Sequence, residues 1–185
     1  MVFLGVLVLI VLAVFVAGIV IYNRLVKLKN TVQSSWSDID VLLKKRYNLV
    51  DNLVETVKGY ASHEKKTLEG VTQARAKAMQ AEGPAKKAEA ENMFTSTLKS
   101  LFALSEAYPD LKANQNFLAL QKQLVEIEDN IEYARRYYNA VVRDYNTMTE
   151  AFPSNMIASS FGFQKAEFFE LTTPEARERV KVDFS

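Results

Sequence analysis

The hydrophobic pattern divides the chain sharply. Residues 1–22 carry no charged side chain, and the sequence becomes strongly charged immediately afterwards, starting at Arg24, Lys27 and Lys29. A helix needs about 20 apolar residues to cross roughly 30 Å of hydrocarbon, so residues 1–22 read as a transmembrane anchor. A cleaved secretory signal would have a basic n-region, a shorter apolar core and a small-residue cleavage site. Here nothing basic precedes the run, and the nearest candidate for cleavage, Ala17, has Phe15 two positions before it. A pilin-type leader is disfavoured for the same reason.

Beyond the anchor the periodicity is helical. Phe117, Leu120, Leu124, Ile127, Ile131, Ala134, Tyr138, Val141, Tyr145 and Met148 occupy successive a/d positions of a heptad seam with coiled-coil character. A second seam follows the anchor through Leu25, Leu28, Val32, Ile39, Leu42, Leu49, Leu53 and Tyr60, widened by Trp36, Leu43, Val50 and Val57. Ser35, Arg46 and Thr56 interrupt it. Two shorter amphipathic runs cover about 63–81 and 85–107, the second marked by Phe94, Leu98, Leu101, Ser105 and Tyr108. Gly83-Pro84 and Tyr108-Pro109-Asp110 are the strong breaks, because proline disfavours helix at the residue before it.

The first long helix could stop near Gly59 or continue to Gln80, since a mid-helix glycine costs only about 1 kcal/mol. Length favours the stop. At about 1.5 Å per residue, helices over 23–60 and 111–151 would be about 57 and 61 Å long and could pair side by side. Ser62 is then a candidate cap for the next helix, with Glu64 in its first turn. The expected fold is all-α: an N-terminal transmembrane helix followed by an up-and-down four-helix bundle with long first and last helices. Its parts are the anchor (1–22), the bundle (23–152), an aromatic-rich segment packing on or beside it (153–171) and a flexible charged tail (172–185).

Composition narrows the function. The net charge is +1, so no general field draws nucleic acid or acidic partners, and Lys44-Lys45-Arg46 and Arg135-Arg136 read as solvated helix faces. The absence of cysteine removes disulfides, thiolate metal sites and thiol catalysis. His63 is the one histidine. His63-Glu64 opens like a zinc-protease motif, but Thr67 stands where the second histidine should be. Ser62-His63-Glu64-Lys65 spells S-x-x-K without the companion motifs of that enzyme class. The carboxylates Glu126, Glu128, Asp129 and Glu132 share one long helix, where solvation or bridging is the default. No catalytic constellation, metal site or cofactor site follows.

Two surfaces are candidates for function. Arg46 sits on the seam amid Leu42, Leu43, Leu49 and Val50. It either snorkels to water or pairs across the bundle with Glu128, Asp129 or Glu132. Phe161, Gly162, Phe163, Phe168 and Phe169 form an aromatic cluster, either a partner-binding patch or a cap over the open end of the core. Ala13, Ala17 and Gly18 give a weak small-residue hint of helix association, in line with a possible homo-oligomer.

Several long stretches resemble one family. They are Tyr22-Asn23, Ser37-Asp38-Ile39-Asp40-Val41, Lys45-Arg46-Tyr47-Asn48-Leu49-Val50-Asp51-Asn52-Leu53-Val54, Val57-Lys58-Gly59-Tyr60-Ala61-Ser62-His63-Glu64 and Glu106-Ala107-Tyr108-Pro109-Asp110-Leu111-Lys112-Ala113. Ala134-Arg135-Arg136-Tyr137-Tyr138-Asn139, Tyr145-Asn146, Phe152-Pro153-Ser154-Asn155 and Phe161-Gly162-Phe163 continue the series. In this order they resemble the LemA family of bacterial membrane proteins across nearly the whole chain. The resemblance implies a single anchor, a four-helix bundle and no defined catalytic activity. It also implies an association with a membrane zinc metalloprotease and envelope quality control. The expected function is therefore a membrane-anchored adaptor or scaffold for other membrane proteins. The alternative is an anchored enzyme or small-ligand binder with a polar site between the helices.

The expected location is the bacterial inner membrane, single-pass. Basic residues flanking a span tend to stay cytoplasmic, which places Met1 outside and the bundle inside. A reporter fused after Ser185 should behave as cytoplasmic. Digestion of the bundle by protease added to spheroplasts would reverse the assignment.

Overall fold

The computed structural model describes residues 1–170; the expected charged tail lies outside the described residues. Among those residues the regular structure is helical: α1 (Val2–Lys58), α2 (Lys65–Gln80), α3 (Pro84–Ser105), α4 (Pro109–Lys112), α5 (Gln115–Glu150) and α6 (Ser154–Ser160). The chain is all-α, with a long apolar N-terminal helix.

The apolar segment and the first amphipathic seam form one unbroken helix, because no proline intervenes and glycine alone does not end a helix. α1 stops at Lys58, and the Tyr60 and Ala61 N–H groups turn back to the Val57 carbonyl. Tyr60 leaves the seam and is exposed; its hydroxyl accepts a bond from Asn114 Nδ2 at 2.8 Å. Ser62 does not cap α2. The helix begins at Lys65 with Glu64 as N-cap, without a side-chain capping bond. The Glu64 carboxylate instead accepts from the Tyr108 hydroxyl at 3.3 Å.

Gly83 turns α2 into α3 at φ 80°, a conformation glycine adopts without a Cβ penalty, and Pro84 opens α3 with its φ already helical. α5 starts at Gln115, four residues later than the pattern suggested, because Pro109–Lys112 forms a separate turn. Asn114 caps it: its Oδ1 accepts the Phe117 N–H at 3.0 Å.

The chain forms two compact units. One comprises Met1–Asp38 and Ala134–Glu167; the other comprises Ile39–Tyr133 with Phe168, Phe169 and Glu170. These boundaries fall inside α1 and α5. In the first unit Leu25, Tyr145 and Ala158 make a small core, with Ile21, Leu28, Val32, Met148, Ile157, Phe163 and Ala166 packed against it. Trp36 meets Tyr138 with ring centroids 5.4 Å apart. Ser35, which appeared to interrupt the seam, is buried there, its hydroxyl donating to the Thr31 and Val32 carbonyls. In the second unit the last part of α1, α2, α3 and the first part of α5 enclose Leu43, Val50, Val57, Val71, Phe94, Leu101 and Phe117.

Candidate functional site

Arg46 points into the interior of the second unit, 1% exposed. A charge so deep must be paired and hydrogen-bonded, or desolvation would oppose folding strongly. Its guanidinium fork meets both demands. Nη1 bonds Glu91 Oε2 of α3 at 2.7 Å, Nη2 bonds Glu128 Oε1 of α5 at 2.7 Å, and Nη2 also donates to Thr95 Oγ1 at 2.9 Å. The flat face of the guanidinium lies 4.9 Å from the centre of the Phe94 ring, a cation–π arrangement. The Nε–H is buried without a hydrogen-bond partner.

Glu91, 0% exposed, is the deepest group of the network. Its second oxygen accepts a short bond from the Tyr47 hydroxyl. Burial raises the Glu91 carboxyl above its ordinary range, while Arg46, the Tyr47 bond and Lys87 draw it back. The same burial, with Glu91 beside it, pushes the Tyr47 phenol far up, so it serves as a donor at any physiological pH. Burial also raises Glu128, and Arg46 opposes the shift. Lys87 Nζ donates to the Ala78 carbonyl at 2.9 Å, at the C-terminal end of α2 where carbonyls lack helical partners. Arg75 ties α2 to α1, through its Nε on the Tyr47 carbonyl at 3.0 Å and its Nη1 near Asp51 at 3.4 Å.

Of the partners expected for Arg46, Glu128 is therefore in contact. Asp129 is exposed and lines a groove beside the network, and Glu132 is exposed on α5. Glu91 was missed. Its signal was present, since it shares a helical face with Lys87, Phe94 and Leu98 at spacings of four, three and seven. A glutamate on an apolar face opposite a seam arginine is the pattern of a buried pair. The groove, about 450 Å³, opens between α3 and α5 and is walled by Leu98, Phe102, Leu124 and Val125, with Arg46 and Glu128 also lining it.

The phenylalanines of the cluster differ in burial. Phe169 is 0% exposed and belongs to the second unit; Phe168 beside it is 39% exposed. Phe163 packs on the core of the first unit, and only Phe161, 62% exposed, stands out there. Gly162 adopts φ 70° and closes α6 with paired bonds, Phe163 N–H to the Ala158 carbonyl and Gly162 N–H to Ser159, the Schellman arrangement that favours glycine. Beyond it the chain is strapped to α5. Asn146 bonds both the Ala166 carbonyl and N–H, at 2.9 and 2.8 Å, and the Tyr138 hydroxyl donates to the Glu167 carbonyl at 2.8 Å. Burial pushes the Tyr138 phenol up to about 12, so that donor persists.

A family model described as the LemA family matches residues 35–184. Magnetosome proteins MamQ 1 and MamQ 2 of Paramagnetospirillum magneticum are each 27% identical over 175 residues, covering 80% of this chain and 64% of theirs. Protein LemA of Metamycoplasma hominis is 27% identical over 164 residues, covering 88% of this chain and 74% of its own. The chain thus spans less than two thirds of the length of the magnetosome proteins it matches.

Removing one member of a buried pair leaves the other uncompensated, at about 3–5 kcal/mol. Arg46→Met should lower the unfolding free energy by that order, and Arg46→Met combined with Glu91→Leu should recover most of the loss. Denaturant titration of the full chain in detergent micelles reads both. Asp129→Ala should change stability by less than about 0.5 kcal/mol. Equal, small effects in every single variant would mean that the guanidinium reaches water.

Proposed function

The chain belongs to the LemA family, and on that footing we propose that it is a membrane-anchored helical adaptor, holding a folded docking surface beside other membrane proteins. Its location is the bacterial inner membrane, with the apolar part of α1 spanning it and the second unit in the cytoplasm. Arg24, Lys27 and Lys29, which follow the span, support that orientation.

The observation that carries the adaptor reading is the apolar wall on the outer side of α5. Leu118 and Val125, one heptad apart, are exposed, and Val125 borders the α3–α5 groove with Phe102 and Leu124. Isolated exposed aliphatic residues are ordinary, but a stripe beside a groove suits the apolar face of a partner helix. Around it, Asp129 and Lys99 supply charges of both signs at the rim, the usual setting for specificity. The fold offers such a partner a fixed template, because the Arg46 network locks α3 against α5 from within.

A membrane zinc metalloprotease of envelope quality control, the association implied by the family resemblance, is the first partner to test. The groove is also of a size that small ligands use, so the experiment must distinguish the two. Full-length chain is cross-linked in native membranes, purified and analysed by mass spectrometry. A stoichiometric membrane-protein partner is expected, and Leu118→Glu with Val125→Glu should abolish its recovery without changing the melting temperature. Recovery of a tightly bound small molecule with no protein partner would overturn the adaptor reading.

A further inference from the structure

α6 and Phe161 lie against the end of the apolar segment, within the first compact unit. Ile157 Cδ1 is 3.8 Å from where a Cβ on Gly18 would stand. The Phe161 ring lies 4.8 Å from that of Tyr22, and the Phe163 ring lies 5.8 Å from it. Gly18 matters here through its lack of a side chain, which lets α6 approach α1 closely.

The level of this contact follows from helix geometry. About 20 residues at 1.5 Å each span roughly 30 Å of hydrocarbon, so an apolar run over residues 1–22 places Gly18 only about one turn from its end. Ile157 therefore packs at a depth where α1 is still apolar. Between the two helices runs a groove of about 390 Å³, lined by Val14, Phe15, Ile19, Tyr22, Ile157 and Phe161, almost wholly apolar. Phe161, which lines it, is exposed, as are Met156 on α6 and Phe152 just before it.

We propose that α6 and Phe161 form a second membrane-contacting element: a short helix seated in the interfacial layer of the leaflet from which α1 emerges, with a lipid acyl chain in its groove against α1. The occupant is lipid because the groove continues the surface of a helix already read as membrane-spanning, at the same depth.

Two independent features fit that environment. The hydroxyls of α6 do not need water: Ser154 donates to the Ala151 carbonyl, and Ser159 and Ser160 donate to that of Met156. Such back-bonding lets serine sit where solvent is scarce. The aromatic and basic residues are arranged as at a bilayer boundary, with the rings of Tyr22 and Phe161 at the end of the apolar run, followed by Arg24, Lys27 and Lys29. Lys29 Nζ stands 5.8 Å from the centre of the Phe163 ring, where headgroup phosphates would meet it. Interfacial helices bury their apolar faces by about 5–10 Å, the depth that α6 needs to reach Gly18.

The chain contains no cysteine, so single labels can be introduced cleanly. Met156→Cys and Phe161→Cys, each carrying a bimane fluorophore, are compared with Val20→Cys on the span and Val125→Cys on the bundle. The full chain is reconstituted in phosphatidylcholine–phosphatidylglycerol nanodiscs containing lipid with a nitroxide near the carbonyl. Fluorescence at 156 and 161 should be lost to the extent seen at 20, while that at 125 is retained. Retention at 156 and 161 like that at 125 would overturn the proposal, and a blue-shifted but unquenched signal would do so by showing a protein surface over the groove. Neither outcome bears on the α3–α5 groove, so the adaptor reading stands or falls separately.

Discussion

A single buried arginine ties together three helices of the second unit. Once the Arg46 guanidinium is taken out of water, α1, α3 and α5 are limited to positions that keep Glu91, Thr95 and Glu128 within hydrogen-bond reach. An apolar seam tolerates sliding by a turn at modest cost, whereas a bidentate fork with partners on two other helices does not. Buried ion pairs are weak evidence for stability, since well-packed apolar residues often do as well. For this chain the more informative consequence is registry: long heptad-like helices have several nearly equivalent alignments, and this network favours one of them.

The first unit solves a different problem. It contains the long apolar stretch of α1, and its core is small, centred on Leu25, Tyr145 and Ala158. Side-chain hydrogen bonds to backbone supply the order that the small core cannot. Asn146 grips Ala166 on both sides and Tyr138 holds Glu167, so the segment after α6 is fastened along α5 without forming regular structure. This fastening places Phe163 on the core and leaves Phe161 beside Tyr22. A membrane-anchored adaptor with a lipid-seated collar would use the two units separately, one to read the bilayer and the other to present a groove to partners.

Much of the architecture was legible because heptad periodicity is a strong signal. All ten residues of the α5 seam, from Phe117 to Met148, are buried or half-buried, the breaks at Gly83-Pro84 and Pro109 fall where glycine and proline chemistry put them, and α1 ends at Lys58, on the side of the alternative that the length argument favoured. Sequence reasoning lost information wherever a side chain acted across helices. Glu91 escaped notice, since its partner lies 45 positions away. Tyr47 passed unnoticed because the seam rule gives no weight to a phenol adjacent to a seam arginine. The four phenylalanines after Pro153 looked like one patch because they are close in sequence; the Gly162 turn and the Asn146 clamp distribute them between two units and between core and surface.

The Arg46 guanidinium is dry, paired and held in one orientation. Nitrogen-15 NMR of the full chain in nanodiscs, with labelled arginine, observes that group directly. Restricted rotation and slow solvent exchange should give separate, protected Nη resonances for Arg46, absent from an Arg46→Lys control and unlike the averaged signals of solvent-exposed arginines. A single, rapidly exchanging Arg46 resonance would show the guanidinium in water and would contradict the account.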